Sequence, residues 1–354
     1  MKKLVIILFS IVSALYSCTE PSLRPVYDSA ESFLTGSGVF IVNEGNFRWG
    51  NGSISYYSLD SVKITNDIFY AINKRPLGDV PNSMVISGEN AYLVVNNSGT
   101  IEVVDRKTFK TITTIPGLKS PRNIGLVDDL KAYVTSMYSD SLAILDLKNN
   151  VVNGFIDIGR SSESVIVTGN RAFVASWIGE NKITVINTLT NGIITTIGVG
   201  MEPESMVLDK NNMLWVLCNG GWERKYNAEL IMINVLTLAI EKRFVFPQIT
   251  DSPSCLQVNG RGDSLFFLQD GIRSMNIGSD YLPGGIVVPQ TSHFFYKLGI
   301  NPLNGEIFAT DAADYQKNGE LVIYSRKGVY LRALKAGIIP GSMYFKVQTG
   351  QATQ

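Results

Sequence analysis

Short runs of alternating apolar and polar residues fill most of the chain, and they return in a fixed order. A first run at 83–86 is followed by the turn 87–90 and by Ala91-Tyr92-Leu93-Val94-Val95. After Asn96-Asn97-Ser98-Gly99 come Ile101-Glu102-Val103-Val104-Asp105 and then Lys110-Thr111-Ile112-Thr113-Thr114-Ile115. Each run is rich in β-branched and aromatic residues and bounded by Gly, Asn, Asp or Pro, the composition of strands and their turns. The order repeats at 132–135 with 142–146, at 172–176 with 183–187, and at 214–217 with 230–234. No segment carries the spacing of a helix of useful length.

A four-residue phrase accompanies these rounds. Its copies are Pro81-Asn82-Ser83-Met84, Pro121-Arg122-Asn123-Ile124, Ser162-Glu163-Ser164-Val165, Pro203-Glu204-Ser205-Met206, Pro253-Ser254-Cys255-Leu256 and Pro340-Gly341-Ser342-Met343. The first four lie about 40 residues apart, the period of a β-propeller with four-stranded blades. Two drifted rounds follow, at 265–268 with 272–275 and at 306–310 with 320–324. The opening round, 39–42 with 53–57, lacks the phrase, and the copy at Pro340 has no round of its own. These observations predict an all-β fold, a seven-bladed propeller over residues 38–350 whose first blade joins both chain ends. Residues 342–345 would supply its innermost strand, and such a seam removes exposed edges.

Ahead of the repeats, Met1-Lys2-Lys3 and the apolar run 4–12 have the form of an export signal. The run is too short for an ordinary membrane-spanning helix. It ends in Leu15-Tyr16-Ser17-Cys18, which resembles the lipobox of bacterial lipoproteins. That resemblance implies removal of residues 1–17 and lipidation of Cys18, anchoring the chain to a membrane. Residues 18–37, with Pro21 and Pro25, read as a tether. Lysine plus arginine equals aspartate plus glutamate at 31 each, so no net charge draws nucleic acid or anionic lipid. Cys218 and Cys255 are open to two readings, a disulfide or two buried thiols.

In a propeller, the loops from second to third strand and from blade to blade share one face around the channel. Here that set is long and aromatic, whereas the opposite turns, such as 87–90 and 188–192, are short. The first loop offers Asn43, Glu44, Asn46, Phe47 and Trp49; later loops offer Tyr138, Trp177, the trio Trp222, Arg224 and Tyr226, and finally Asp311 and Tyr315. Three of the four tryptophans lie in these loops, where core packing would place them on strands. Amphipathic rings on one face of a rigid scaffold make a ligand platform. The alternative is that the rings plug the channel mouth and pack on each other.

Signals for catalysis are weaker. His293 is the single histidine, which excludes a histidine-cluster zinc site, and no nucleophile elbow, phosphate loop or CxxC motif is present. Glu44, Glu180, Glu223, Asp311 and Asp314 are the carboxylates available for a glycosidase-type pair, although solvation and turn bonding account for them better. Arg261-Gly262-Asp263 reads as a turn, and His293 as a loop stabiliser. No catalytic set, metal site or resident cofactor is expected.

The repeat Ala-Tyr/Phe-Val, followed by Ile-x-Val-Ile-Asp/Asn and Thr-Ile-x-x-Gly, resembles the YncE-like seven-bladed propellers of bacteria. Phe40-Ile41-Val42-Asn43-Glu44-Gly45-Asn46-Phe47 and Phe308-Ala309-Thr310-Asp311-Ala312-Ala313-Asp314-Tyr315 are similar to the opening and closing blades of Bacteroidetes surface lipoproteins. That group includes the cobalamin-capturing lipoproteins of the outer membrane. The resemblance implies a non-enzymatic, surface-exposed protein that passes cobalamin or a related corrinoid to a TonB-dependent transporter barrel. Asn43, Asn46, Asn219 and Arg224 would then bond the amide rim of the corrinoid while Trp177 and Trp222 pack on its body. A glycan- or peptide-binding lipoprotein and a propeller lyase or hydrolase are the alternative readings.

Overall fold

The computed structural model describes residues 36–347 together with Leu34. The expected signal segment 1–17, Cys18, nearly all of the tether and the last residues of the 38–350 unit lie outside the described residues. Seven four-stranded antiparallel sheets form the blades of a propeller. In blade one the strand order is Pro340–Lys346, Gly38–Asn43, Ser53–Ser58 and Lys63–Thr65, so both ends of the described chain meet in one sheet. Gly38 faces Lys346 and Phe40 faces Tyr344 across this seam.

Second strands are buried on both sides because each is covered by a neighbouring blade, and they read as continuous apolar runs. Ala91 to Val95 in Asn90–Val95 are all buried, as are Leu214 to Cys218 in Met213–Cys218. Trp215, the one tryptophan on a strand, is fully buried and donates through Nε1 to Asp209 at 2.9 Å. Outer strands instead alternate in exposure, as in Val151–Asp157.

The recurring phrase marks a β-bulge. Register against the second strand slips at Pro81/Ser83, Pro121/Ile124, Ser162/Val165, Pro203/Ser205 and Ser254/Gln257. It slips likewise in the seam opposite Pro340 and in blade seven at Phe295/Lys297, where the phrase is absent. Proline suits a bulge because it has no N–H to leave unpaired. The third phrase residue joins its blade to the next. Ser342 Oγ donates to Asn82 O (2.6 Å), Ser83 Oγ to Arg122 O (2.6 Å) and Asn123 Nδ2 to Glu163 O (2.9 Å), while Ser205 Oγ accepts from Leu256 N–H (2.9 Å). Ser164 Oγ, at the same position in blade four, is buried without a partner.

One short helix departs from the all-strand expectation. Ile68–Asn73 buries Ile68, Phe69 and Ala71, packing with Ile54 and Tyr56 beside a blade whose outer strand has only three residues. Six residues are too few to leave a helical periodicity in the sequence. Among the described residues, no helix is long and apolar enough to cross a membrane.

Candidate functional site

Ring-bearing side chains stand out from the loops on one face of the disc, five of them more than half exposed in the aromatic loops. Phe47 is 61 % exposed, Trp49 77 %, Tyr138 58 %, Trp222 87 % and Tyr226 55 %. Trp177 is half-buried, but Ile178 beside it is exposed. The rings do not close over the channel as a packed plug, which leaves large apolar area in water. Two loops are held stiffly from below. Asp79 accepts from the Arg48 N–H at 2.9 Å and Asn51 Oδ1 from the Asn46 N–H at 2.7 Å, with the Arg48 guanidinium 5.0 Å over the Phe47 ring. Gly220 sits at φ 86°, and a Cβ there would lie 2.6 Å from Tyr226 O, so only glycine lets the Trp222 loop fold back on itself.

Several expected ligand residues are engaged inside the protein. Asn43 is fully buried: Nδ2 donates to Ser55 Oγ (2.9 Å) and Ser53 Oγ (3.1 Å), and Oδ1 accepts from Gly337 N–H (3.1 Å). It is the last residue of the second strand of blade one and ties the seam, so it is withdrawn from the ligand set. Asn46 Nδ2 donates to Tyr315 O at 2.7 Å, which places the first and last aromatic loops side by side. Asp311 accepts from the N–H groups of Ala313 (2.8 Å) and Phe294 (3.3 Å) and lies 3.1 Å from His293 Nδ1, so this carboxylate also serves the loop. Tyr315 packs edge-on against Tyr296 with centroids 5.8 Å apart. Arg224 is exposed and makes only a 3.5 Å contact with Asp251 O.

Beneath the rings lies a polar channel mouth that no sequence motif announces. The second phrase position contributes Asn82, Arg122, Glu163, Glu204 and Ser254, and Tyr296 takes it in blade seven. In blade one that position is Gly341, and Glu44 fills the space: a Cβ on Gly341 would lie 3.0 Å from Glu44 Oε1. Asn82, Arg122, Glu163, Glu204 and Lys297 border a cavity of about 270 Å³. Arg122 grips Glu163 through two bonds of 2.7 Å. Lys297 Nζ is 3.9 Å from Glu204, whose other oxygen accepts from Cys255 N–H at 2.9 Å. Tyr296 OH lies 3.0 Å from both Glu44 oxygens.

Burial holds the Glu44 carboxyl above the usual carboxylate range, against the opposing pull of Lys297, Tyr296 and Arg122. Burial and the neighbouring Glu44 likewise raise the Tyr296 phenol. Both remaining cysteines are free and buried, resolving the open pairing in favour of thiols. Burial pushes the Cys255 thiol up to about 11 and raises that of Cys218 as well, so both are neutral and unreactive at neutral pH. The remaining loop-face carboxylates are locally paired: Glu180 with Arg160 (2.9 Å), Glu223 with Lys225 (2.7 Å) and Asp314 with Lys317 (3.3 Å). Arg261 and Asp263 pair with each other at 3.3 Å in a turn on the opposite face. No group of metal ligands occurs among the described residues.

The model of a protein family described as a domain of unknown function, DUF5074, matches residues 37–327. No curated protein matches the sequence. Several solved structures share the fold. A quinonprotein alcohol dehydrogenase-like protein of Bacteroides thetaiotaomicron superposes with TM-score 0.69 at 15 % identity, covering 87 % of this chain and 78 % of that one. A candidate 6-phosphogluconolactonase of Bacteroides fragilis gives 0.66 at 12 % identity, with 89 % and 99 % covered. A functionally unknown protein of Desulfotomaculum acetoxidans gives 0.65 at 13 % identity, with 88 % and 99 % covered. At such identities the likeness concerns the fold alone.

Proposed function

We propose that this chain, which belongs to the DUF5074 family, is a surface lipoprotein of the outer membrane that binds cobalamin or a related corrinoid. The ligand would rest on the aromatic loop face and pass to a TonB-dependent transporter barrel. The observation that carries the reading is the arc of exposed rings at Phe47, Trp49, Tyr138, Trp222 and Tyr226 around a polar channel mouth. A corrinoid has apolar faces and an amide-bearing rim. Rings suit the faces, while Asn82, Lys297 and the exposed Arg224 offer hydrogen bonds to amides. The first loop, held by Asp79 and Asn51, loses little freedom on binding. The channel carboxylates are neutralised or bonded within the protein, which favours binding over a lyase or hydrolase reaction.

Calorimetric titration of the chain lacking residues 1–18 with cyanocobalamin tests this. A saturable heat and colour retained after desalting are expected. No heat and a colourless protein remove the reading, and a response to a glycan array alone selects a glycan-binding lipoprotein instead.

A further inference from the structure

Six blades close their outer edge with regular structure. Their outer strands run to nine residues in Tyr330–Ile338, and the short Lys63–Thr65 is supplemented by the helix Ile68–Asn73. Blade six has only Val288–Pro289, which faces Gly271 and Ile272. Beyond that point the third strand, Gly271–Asn276, has no outer partner.

The direction of its backbone groups follows from the bonds at its two ends. Gln269 N–H donates to Gly271 O at 2.8 Å, and Ile277 N–H donates to Asp263 O at 3.1 Å. Odd-numbered residues therefore bond inward to Ser264–Leu268, and antiparallel alternation turns Ile272, Ser274 and Asn276 outward. Ile272 O accepts from Val287 N–H and Asn276 O from Ser279 N–H. Nothing among the described residues bonds the backbone N–H and C=O of Ser274 or the N–H of Asn276. Arg273 leaves this edge clear, since its guanidinium is drawn to the carbonyls of Gln269 and Pro283.

Beside the open edge lies a cavity of about 480 Å³ toward blade seven. Ser274 and Asn276 border it with Phe266, Leu303 and Arg326. Arg326 pairs with no acidic side chain among the described residues.

We infer that the outer edge of blade six accepts an extended segment of another protein that continues its two-residue fourth strand along Ser274 and Asn276, with an acidic side chain directed at Arg326. Main-chain bonds to Ser274 and Asn276 hold such a segment, and the side chain entering the cavity gives selectivity. The surface is on the outer rim, so it is independent of the loop-face ligand.

Residue-resolved amide exchange, with and without a blocked Thr-Val-Glu-Val-Glu-Thr peptide at millimolar concentration, tests the assignment. In the free protein Ser274 and Asn276 should exchange at least about 10-fold faster than Met232, the counterpart of Ser274 that pairs with Lys242 in blade five. The peptide should slow both amides by about 10-fold or more, and Arg326→Glu should transfer that effect to the peptide with lysine in place of glutamate. Protection already present in the free protein, unchanged exchange at saturating peptide, or equal response to both peptides would overturn it. Protection that rises with protein concentration alone would identify a second copy as occupant and overturn the assignment to a foreign segment.

Discussion

Ser342 Oγ donates to the Asn82 carbonyl oxygen at 2.6 Å, joining the final strand of the propeller to the first blade made of contiguous sequence. It is one member of a circumferential series in which the phrase bonds the next blade at four of the junctions, blade four's Ser164 being an exception. Removing the residues after Gly337 takes away this bond and the innermost strand of blade one, uncovering Phe40 and Val42. The truncated chain should lose its cooperative thermal transition, whereas Ser342→Ala should cost only about 1 kcal/mol by denaturant melt.

Asn43→Ala leaves the Gly337 N–H unpaired inside the seam together with two serine hydroxyls. A loss of about 1–3 kcal/mol is expected in urea unfolding, with ligand affinity per folded molecule unchanged. A full-strength melt would show that the seam does not depend on this amide.

Arg122 and Glu163 face each other across two adjoining blades, with little of either side chain exposed. Arg122→Met or Glu163→Gln alone strands one partner, with an expected cost of about 3–5 kcal/mol for a fully buried pair and less here at the channel wall. The double variant should recover much of that loss, and a thermodynamic cycle measures the recovery.

Burial raises the folded-state pKa of Glu44 above its unfolded value. The folded state therefore holds its proton to higher pH, and stability falls as pH rises from the unfolded pKa through the folded one. Glu44→Gln should raise Tm at neutral pH, and the advantage should vanish toward pH 4. An advantage that grew on acidification would reverse the assigned sign.

Trp49 and Trp222 touch almost nothing. Trp222→Ala should change stability by no more than about 0.5 kcal/mol while weakening corrinoid binding about 10-fold, or about 1.4 kcal/mol. Calorimetry and a thermal melt on the same protein separate the two effects.

The architecture was legible because bulge and blade-to-blade bond impose Pro and Ser at a fixed spacing, and because second strands buried on both sides stay apolar. Blade seven's inner strand, Phe295–Ile300, makes the same bulge without either residue and so left no phrase to find. The exposed rings were visible as tryptophans outside strands. The channel mouth was not, since most of its residues occupy the second position of the phrase, the one that varies most in chemistry, and each looks unremarkable in its own blade. Asn43 and Asn46 look alike in sequence; three positions separate a residue that closes a sheet from one in a loop.

Gly38 and Lys346 sit opposite each other, at the end of blade one away from the Asn46 loop. The chain therefore enters and leaves the disc on its underside. An attachment made at these two strand ends, whether a lipid, a fusion partner or a solid support, would start behind the disc and leave the rings pointing outward. A sensor or affinity matrix made from this propeller needs no redesign of its orientation.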